Sequence, residues 1–200
     1  MKECLDVVIA GIGGQGNILL SRILGETAVR TGVEVRISEA FGSAQRGGAV
    51  FSHVRLGKSH SPVIPLGMAD ALLALEPAEA LRQSRFLARN GLAIINTKPI
   101  MPVEVLAGRA TYSPIETIRN LVAKLTPKLL MIDATALAEQ AGDARTANVV
   151  MLGALDGCGI MPFESKALRE SVSNAVPGKM VEANMKAFDL GRACVPAGNM

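Results

Sequence analysis

The residues best suited to bind a ligand lie in a glycine-rich segment near the amino terminus. An apolar run leads into the spacing G-x-G-x-x-G, and an amphipathic pattern follows it, which together predict a strand, a tight loop and a helix. Such a loop aims backbone N–H groups and the positive end of a helix dipole at one point. We therefore expect a phosphate or another anion here, held by the backbone N–H groups of residues 13–17. The candidate binding residues are Gly11, Gly13, Gly14, Gln15, Gly16 and Asn17.

The G-x-G-x-x-G spacing alone does not identify the ligand as a dinucleotide. The same glycines can serve only a tight turn and close packing of a helix on a sheet. A ribose-binding acid is expected about 20 residues further on. Glu34 comes too early for that role. Glu39 follows the second predicted strand, but it belongs to the unusual polar segment of residues 38–50. The spacing therefore predicts a nucleotide-like anion site and leaves the ligand open.

A second unusual segment, residues 38–50, joins two predicted strands through a polar loop. Gly47 and Gly48 would let a ligand or another backbone approach closely. The guanidinium of Arg46 matches a carboxylate or a phosphate, so Arg46 could complete the anion pocket. The alternative is a glycine bulge beside a solvated arginine. Gln45, Gly47 and Gly48 are expected in a loop or at an interface.

No arrangement of side chains suggests a nucleophile, a general base or a metal site. His53 and His60 are the only histidines, and we expect His53 on the surface or at an interface. Glu76 and Asp133 follow apolar strands, where α/β proteins place ligand-facing groups, although capping of a helix explains Asp133 equally well. The three cysteines are too few for a four-cysteine iron–sulfur cluster. No catalytic residue is therefore predicted.

The elements that must position these residues alternate between strands and helices. Hydrophobic residues make up 49% of the chain and aromatic residues 3%, as expected for an aliphatic parallel sheet covered by helices. The pattern predicts one domain, residues 1–200, with a three-layer α/β/α Rossmann-like architecture, a mostly parallel sheet and a helical carboxyl-terminal part. The predicted strands are residues 5–10, 33–37, 49–56, 71–75, 92–97 and 129–133. The predicted helices are residues 17–30, 77–86 and 113–125, followed by helical segments from residue 134 onward.

Charge and hydropathy exclude several classes of protein. A net charge of +3 without basic runs or aromatic arrays argues against nucleic-acid binding. No apolar stretch reaches the roughly 20 residues that span a bilayer. No signal peptide is recognisable, so we expect a cytoplasmic protein without membrane partners.

The motifs in this order resemble the gamma domain of 2-oxoacid:ferredoxin oxidoreductases, and within that family the beta subunit of indolepyruvate:ferredoxin oxidoreductases. The combination of GxGGQG with a later QRGG is the most specific part of the resemblance. The matching residues are 11–16, 38–39, 44–48, 52–57, 61–62, 64–65, 69–70, 76–77, 96–97, 133–134 and 147–154. They span nearly the whole chain.

The resemblance implies oxidative decarboxylation of a 2-oxoacid such as indolepyruvate to an acyl-CoA, with ferredoxin as electron acceptor. Thiamine diphosphate, magnesium and the iron–sulfur clusters would then sit on a large partner subunit, which would also meet ferredoxin. This chain would be an accessory subunit without cofactors of its own, inactive alone, with coenzyme A as its candidate ligand. The alternative is a free-standing Rossmann-like protein that binds a nucleotide or the phosphate of coenzyme A.

Apolar surface is expected to mediate assembly. Residues 148–155 are apolar nearly all round a predicted helix, so they form either core or a subunit interface. We expect this helix, together with the strand that bears Phe51 and His53, to contact a partner or a second copy of the chain. A homodimer is expected when the large subunit is absent. Asp156-Gly157 and Asn184 faintly match a thiamine diphosphate pattern, which we interpret as chance.

Overall fold

The computed structural model describes residues 4–42 and 48–196. Its strands are β1 (Cys4–Ile12), β2 (Val35–Phe41), β3 (Ala49–Gly57), β4 (Ala69–Ala74), β5 (Leu87–Asn96) and β6 (Leu129–Ile132). They form one sheet with the order β2-β3-β1-β4-β5-β6. Only β3 runs against the others, because β1, β4, β5 and β6 pair in parallel and β3 pairs antiparallel with both β1 and β2. The predicted mostly parallel α/β sheet is confirmed.

Helices cover both faces of this sheet. They are α1 (Asn17–Arg30), α2 (Pro77–Gln83), α3 (Val103–Leu106), α4 (Ile115–Ala123), α5 (Ala134–Ala141), α6 (Ala147–Gly157), α7 (Ser165–Ala175) and α8 (Gly178–Ala193). One core joins the sheet to α1, α5, α6, α7 and α8, and the other joins it to α2 and α4. Alternate residues of β1 serve the two cores, since Val7 and Ile9 face the first while Val8 and Ala10 face the second.

The chain reverses direction across the sheet between β1 and β4. From β1 it passes through α1 toward β2 and β3 on one side, and from β4 it passes through α2 toward β5 on the other. The two helices pack on opposite faces of the sheet. Neighbouring parallel strands with diverging connections leave a crevice at their carboxyl ends, where α/β proteins bind ligands. The glycine loop after β1 lies at this point.

Several boundaries differ from the sequence predictions. The second strand ends at Phe41 rather than at residue 37, so that Glu39 lies within it, because β2 pairs with β3 along its whole length. The helix predicted for residues 113–125 is shorter, since α4 begins at Ile115 with Pro114 at its N-cap position and no side chain caps it. Asp133 lies just after β6 and not within it as predicted. Its side chain caps α5 by accepting a hydrogen bond from the Ala136 N–H at 2.9 Å.

The apolar helix α6 is core, which is one of the two places predicted for it, and it is therefore not the contact surface that was expected. Its residues from Asn148 to Asp156 are all buried within the monomer, between the sheet and α8. The two helices approach so closely that a Cβ on Gly153 would lie 2.1 Å from the Phe188 carbonyl oxygen. A Cβ on Gly191 would lie 1.9 Å from the Val150 oxygen.

Within the described residues, no helix has the length and hydropathy to cross a membrane.

Candidate functional site

A cavity of about 350 Å³ opens at the carboxyl ends of β1, β4 and β5. Its volume lies within the range of roughly 300–1,000 Å³ that holds small ligands. Gly14 belongs to this cavity and also to a second one of about 530 Å³ on the β2 and β3 side. The glycine loop is therefore the wall between the two cavities. The first cavity is lined by Gly14, Gln15, Leu75, Asn96, Lys98 and Asn148, among others.

Two glycines of the loop need left-handed backbone conformations. Gly14 has φ +100° and Gly16 has φ +86°, values that other residues adopt only with strain. A Cβ on Gly14 would meet no atom within 4 Å, so its surface is open to a ligand. A Cβ on Gly16 would lie 2.2 Å from Nδ2 of Asn148, so this glycine lets α6 approach the loop.

Some of the predicted anion donors are already used within the protein. The Gly13 N–H donates to the Gly48 carbonyl oxygen at 2.9 Å, and the Gln15 N–H donates to the Ile12 oxygen at 3.2 Å. Among the described residues, the N–H groups of Gly14, Gly16 and Asn17 have no acceptor. The prediction that the amides of residues 13–17 all bind an anion is therefore wrong for Gly13 and Gln15, whose N–H groups close the turn of the loop. For Gly14, Gly16 and Asn17 it stays a prediction.

The side chains of Gln15 and Asn17 fasten the loop to the sheet. Gln15 accepts from the Ile12 N–H at 2.8 Å and donates to the Leu75 oxygen at 2.9 Å, which ties β1 to β4. Asn17 donates to the Val50 oxygen at 2.5 Å, while its buried Oδ1 has no partner among the described residues. A Cβ on Gly11 would collide with both side chains, at 2.6 and 2.7 Å. Gly11 therefore serves this packing and does not itself face a ligand.

The far side of the cavity carries polar groups that were not predicted from the sequence to bind a ligand. Asn96, at the end of β5, donates to the Leu75 oxygen and accepts from the Ala134 N–H at 3.1 Å. Lys98 is exposed and, within residues 4–42 and 48–196, forms no ion pair. Asn148, at the start of α6, is 8% exposed. The sequence did hold a signal for Asn96, because this polar residue ends an apolar strand. Glu76 and Asp133, which follow apolar strands closely, were considered as ligand-facing residues for the same reason.

Glu76 is a structural residue rather than a ligand-facing one. It is 2% exposed and caps α2, accepting from the Glu79 N–H at 3.0 Å. The Tyr112 hydroxyl donates to its other oxygen at 2.5 Å, and burial together with this carboxylate raises the pKa of Tyr112. These bonds fix the segment after β5 over the end of the sheet.

His53 is buried, which corrects its predicted place on the surface or at an interface. It is 3% exposed, and its Nδ1 accepts a hydrogen bond from the Ile64 N–H at 3.0 Å. The imidazole packs edge-on against Phe51 and Phe86. Burial, and then the positive charges of Arg55 and Arg85, lower the pKa of His53. The alternating pattern of β3 could not reveal the burial of His53, because it is the later residues 58–68 that fold back over this face of the strand.

The second predicted segment lies largely outside the described residues. Gln45, Arg46 and Gly47 belong to residues 43–47, which lie outside the described residues. Gly48 is described, and its carbonyl oxygen anchors the Gly13 amide. The prediction that Arg46 completes an anion pocket stays a prediction.

The residues of this chain do not fit thiamine diphosphate or an iron–sulfur cluster. Asp156 lies inside α6, paired with Arg192 at 2.8 Å and bound by Ser165, so it belongs to no cofactor loop. The Cys158 and Cys194 thiols donate to the Ala154 and Gly191 carbonyl oxygens of their own helices, and burial raises the pKa of both. Cys4 is buried in another part of the fold. Across the described ranges, no three His, Cys, Asp or Glu side chains group as metal ligands.

Comparison with known proteins places this arrangement among oxidoreductase subunits. A family model described as pyruvate ferredoxin/flavodoxin oxidoreductase matches residues 6–194. Indolepyruvate oxidoreductase subunit IorB of Archaeoglobus fulgidus is 42% identical over 187 residues, which cover 94% of this chain and 93% of that protein. The similarity therefore extends over nearly the full length of both chains.

Solved structures share the fold. The gamma subunit of a keto/oxoacid ferredoxin oxidoreductase from Geobacter sulfurreducens superposes with a TM-score of 0.68 at 28% identity, covering 94% of this chain and 96% of that one. A 2-oxoglutarate:ferredoxin oxidoreductase from Magnetococcus marinus, solved with coenzyme A bound, superposes with a TM-score of 0.73 at 19% identity. This chain covers 32% of that longer chain, and the likeness is one of fold alone.

Proposed function

Because the chain belongs to the pyruvate ferredoxin/flavodoxin oxidoreductase family, we propose that it is the small subunit of a 2-oxoacid:ferredoxin oxidoreductase. The observation that carries the proposal is the match over residues 6–194, joined to 42% identity with an indolepyruvate oxidoreductase subunit along nearly both full lengths. That relative favours indolepyruvate or another aryl 2-oxoacid as the substrate of the complex. The product would be the corresponding acyl-CoA.

The chemistry is divided between subunits in this proposal. Thiamine diphosphate, magnesium and the iron–sulfur clusters would belong to a large partner, since three cysteines are too few for a four-cysteine cluster and Asp156 is paired with Arg192 inside α6. Ferredoxin would accept electrons from that partner and meet this chain only indirectly. In the Magnetococcus protein the same fold is about a third of a longer chain, which supports its action as one part of a larger enzyme.

The role we propose for this chain is to hold an anionic group of coenzyme A. The open face of Gly14 and the N–H groups of Gly14, Gly16 and Asn17 lie at the switch point of the sheet. Backbone donors at the start of α1 favour a phosphate, because the helix dipole adds to their hydrogen bonds. Arg46, which lies outside the described residues, is the cation that we propose for the same group.

Reconstitution tests the proposal. The chain and a large subunit carrying thiamine and ferredoxin-type cysteine motifs are purified separately and then mixed. Coenzyme A-dependent reduction of ferredoxin is measured with indolepyruvate, phenylpyruvate, pyruvate and 2-oxoglutarate. We expect turnover only from the mixture and a colourless, inactive chain on its own. Turnover by this chain alone, or full turnover by the large subunit alone, would refute the proposal.

A further inference from the structure

The strand β2 lies at one edge of the sheet and is not protected against pairing with another strand. In the described part of the chain it pairs with β3 alone, and that pairing contains no bulge. Its residues, Val35–Phe41, include neither proline nor lysine, which commonly protect an edge. The opposite edge strand, β6, has only four residues, whereas β2 has seven. A regular edge of this length can accept a further strand.

The free hydrogen-bonding groups of β2 belong to every second residue. The Gly57 N–H donates to the Glu34 oxygen at 2.7 Å just before the strand. The Gly42 N–H donates to the Ala49 oxygen at 2.7 Å just after it. In an antiparallel pair such bonds recur at every second residue, so the even-numbered residues of β2 bond to β3. The backbone groups that point away from the sheet are therefore those of Val35, Ile37, Glu39 and Phe41.

Apolar side chains accompany this free edge on the side of α1. Val29 of α1 is 69% exposed and Phe41 is 60% exposed. A groove of about 500 Å³ lies between α1 and β2, lined by Arg22, Glu26, Val29, Val35 and Ile37, among others. Exposed apolar surface beside an unpaired edge is typical of a protein contact. Neither α6 nor His53, on which the sequence placed the expected dimer contact, offers such a surface, because both are buried.

We propose that two copies of this chain pair through β2, antiparallel about a two-fold axis at Ser38. Such a contact uses the same surface of both copies, so the odd-numbered residues of one strand meet the odd-numbered residues of the other. Val35 lies opposite Phe41 of the second copy, and Ile37 lies opposite its Glu39. About eight backbone hydrogen bonds then join the two sheets into one.

The side chains of β2 select this register over its neighbours. A shift of the second strand in one direction places Glu39 opposite Glu39 of the other copy, and like charges directly opposite destabilise a strand pair. A shift in the other direction leaves Phe41 beyond the start of the second strand. The register centred on Ser38 sets the ring of Phe41 against the branched side chain of Val35, which is a favourable cross-strand pair.

Two contacts fix the position of α1 along β2. The Ser21 hydroxyl donates to Oε1 of Glu39 at 2.9 Å. A Cβ on Gly25 would lie 2.8 Å from Cδ1 of Ile37, so Gly25 packs directly on that side chain. When Ile37 faces Glu39 of the second copy, the level of Gly25 in one helix therefore faces the level of Ser21 in the other.

The groove sides of the two α1 helices are then complementary in charge. Arg22 and Glu26 are exposed beside the groove and form an ion pair within the chain at 3.5 Å. In the proposed dimer Arg22 and Glu26 of the second copy differ in level by about two residues, or about 3 Å along the helix. Opposite charges therefore face each other in both halves of the contact. This self-complementarity favours a second copy of the chain over another protein as the occupant of the edge.

The oligomeric state of the isolated full-length chain tests the proposal. We expect sedimentation equilibrium to show a dimer that dissociates on dilution. Glu39→Pro removes an N–H that points away from the sheet and none that bonds to β3, so the dissociation constant should rise at least tenfold. Glu39→Ala also loses the bond to Ser21 but keeps that N–H. It is the matched control, and its dissociation constant should stay close to that of the wild-type chain.

Cysteine cross-linking tests the register without weakening the strand. Ser38→Cys places two thiols directly opposite each other, in a pair whose Cα atoms lie about 4.5 Å apart, which suits a disulfide. Ala40→Cys is the matched control, because Ala40 is also half-buried but lies about 14 Å from its counterpart. We expect oxidation to give a disulfide-linked dimer from Ser38→Cys only.

Charge exchange tests the contact between the helices. Arg22→Glu sets like charges against each other in both halves of the dimer and should raise the dissociation constant about tenfold. Adding Glu26→Arg to this variant restores opposite charges and should restore the affinity. Equal dissociation constants for the single and the double variant would show that α1 lies away from the contact, against the proposed register.

Several results would overturn the proposal. They are a monomer at every concentration, equal dissociation constants for Glu39→Pro and Glu39→Ala, and a cross-link in Ala40→Cys but not in Ser38→Cys. If the wild-type chain is monomeric and Glu39→Pro prevents capture of the large subunit, the edge belongs to that subunit and the proposal is wrong. Reconstitution of turnover with the wild-type chain tests the proposed function separately, because it does not require that the isolated chain form a dimer.

Discussion

Replacement of Gly14 by alanine separates ligand binding from folding at the glycine loop. Gly14 has φ +100°, and a Cβ there would meet no atom within 4 Å. The substitution therefore costs only backbone strain, about 1–2 kcal/mol for a residue held in a left-handed conformation. For a domain of this size that free energy lowers the Tm by roughly 2–8 °C.

The effect on binding should be larger than the effect on stability. The added methyl group would stand between the loop and its ligand and would cost at least one hydrogen bond to a charged oxygen, about 1.5–3 kcal/mol. We expect the KM for coenzyme A of the reconstituted complex to rise by about tenfold to a hundredfold. Rates are measured at saturating 2-oxoacid while coenzyme A is varied.

Gly32→Ala is the matched control for this experiment. Gly32 has φ +77°, its Cβ would also meet no atom within 4 Å, and it lies at the opposite end of α1 from the loop. It should lower the Tm by a similar amount and leave the KM unchanged. Equal KM values in the two variants would refute the assignment of Gly14 to ligand binding. Loss of assembly, with an unchanged KM in the remaining complex, would show that the loop is an interface element.

Three further predictions concern stability and assembly. Because the folded state lowers the pKa of His53, the unfolded state binds the proton first, and the free energy of unfolding should fall as the pH drops below about 6.5. His53→Asn keeps an acceptor for the Ile64 N–H and should flatten that slope in urea titrations at pH 5 and pH 7, whereas an unchanged slope would assign it to other groups. Gly191→Ala should destabilise the chain by about 1–3 kcal/mol, because the added Cβ would lie 1.9 Å from the Val150 oxygen. Gly178→Ala is the control and should not destabilise the chain, because the space around Gly178 is open. Equal Tm values for the two variants would contradict the α6–α8 packing. Leu106→Ser, on a helix without buried residues, should leave the Tm unchanged and weaken capture of the large subunit, and unchanged capture would place the interface elsewhere.

The fold was largely predictable because its core follows simple patterns. The apolar runs of β1 and β4 and the stripe of α1 predicted their elements, and α1 spans residues 17–30 as expected. The reversed direction of β3 was not predictable, since strand orientation depends on pairing between distant segments. The burial of α6 was left open, because an apolar helix fits a core and an interface equally well until α8 covers it.

The candidate site was predictable in its backbone but not in its side chains. The glycine spacing located the loop, whereas the sequence could not show that the Gly13 and Gln15 amides close the turn internally. Asn148 lies more than 130 residues after Gly14, and only the packing of α6 against Gly16 brings the two together. His53 was misplaced for a similar reason, since a loop that follows β3 returns to bury it.

The central claim is that this chain works as the cofactor-free part of a larger oxidoreductase. Native mass spectrometry of the complex recovered through a tag on this chain, expressed in its own cells, tests that claim most directly. We predict a complex with a larger subunit that carries thiamine diphosphate and iron, both of which stay with that subunit when the complex is dissociated. Recovery of this chain alone, as a monomer or a homodimer, or with a partner that holds neither thiamine nor iron, would contradict it.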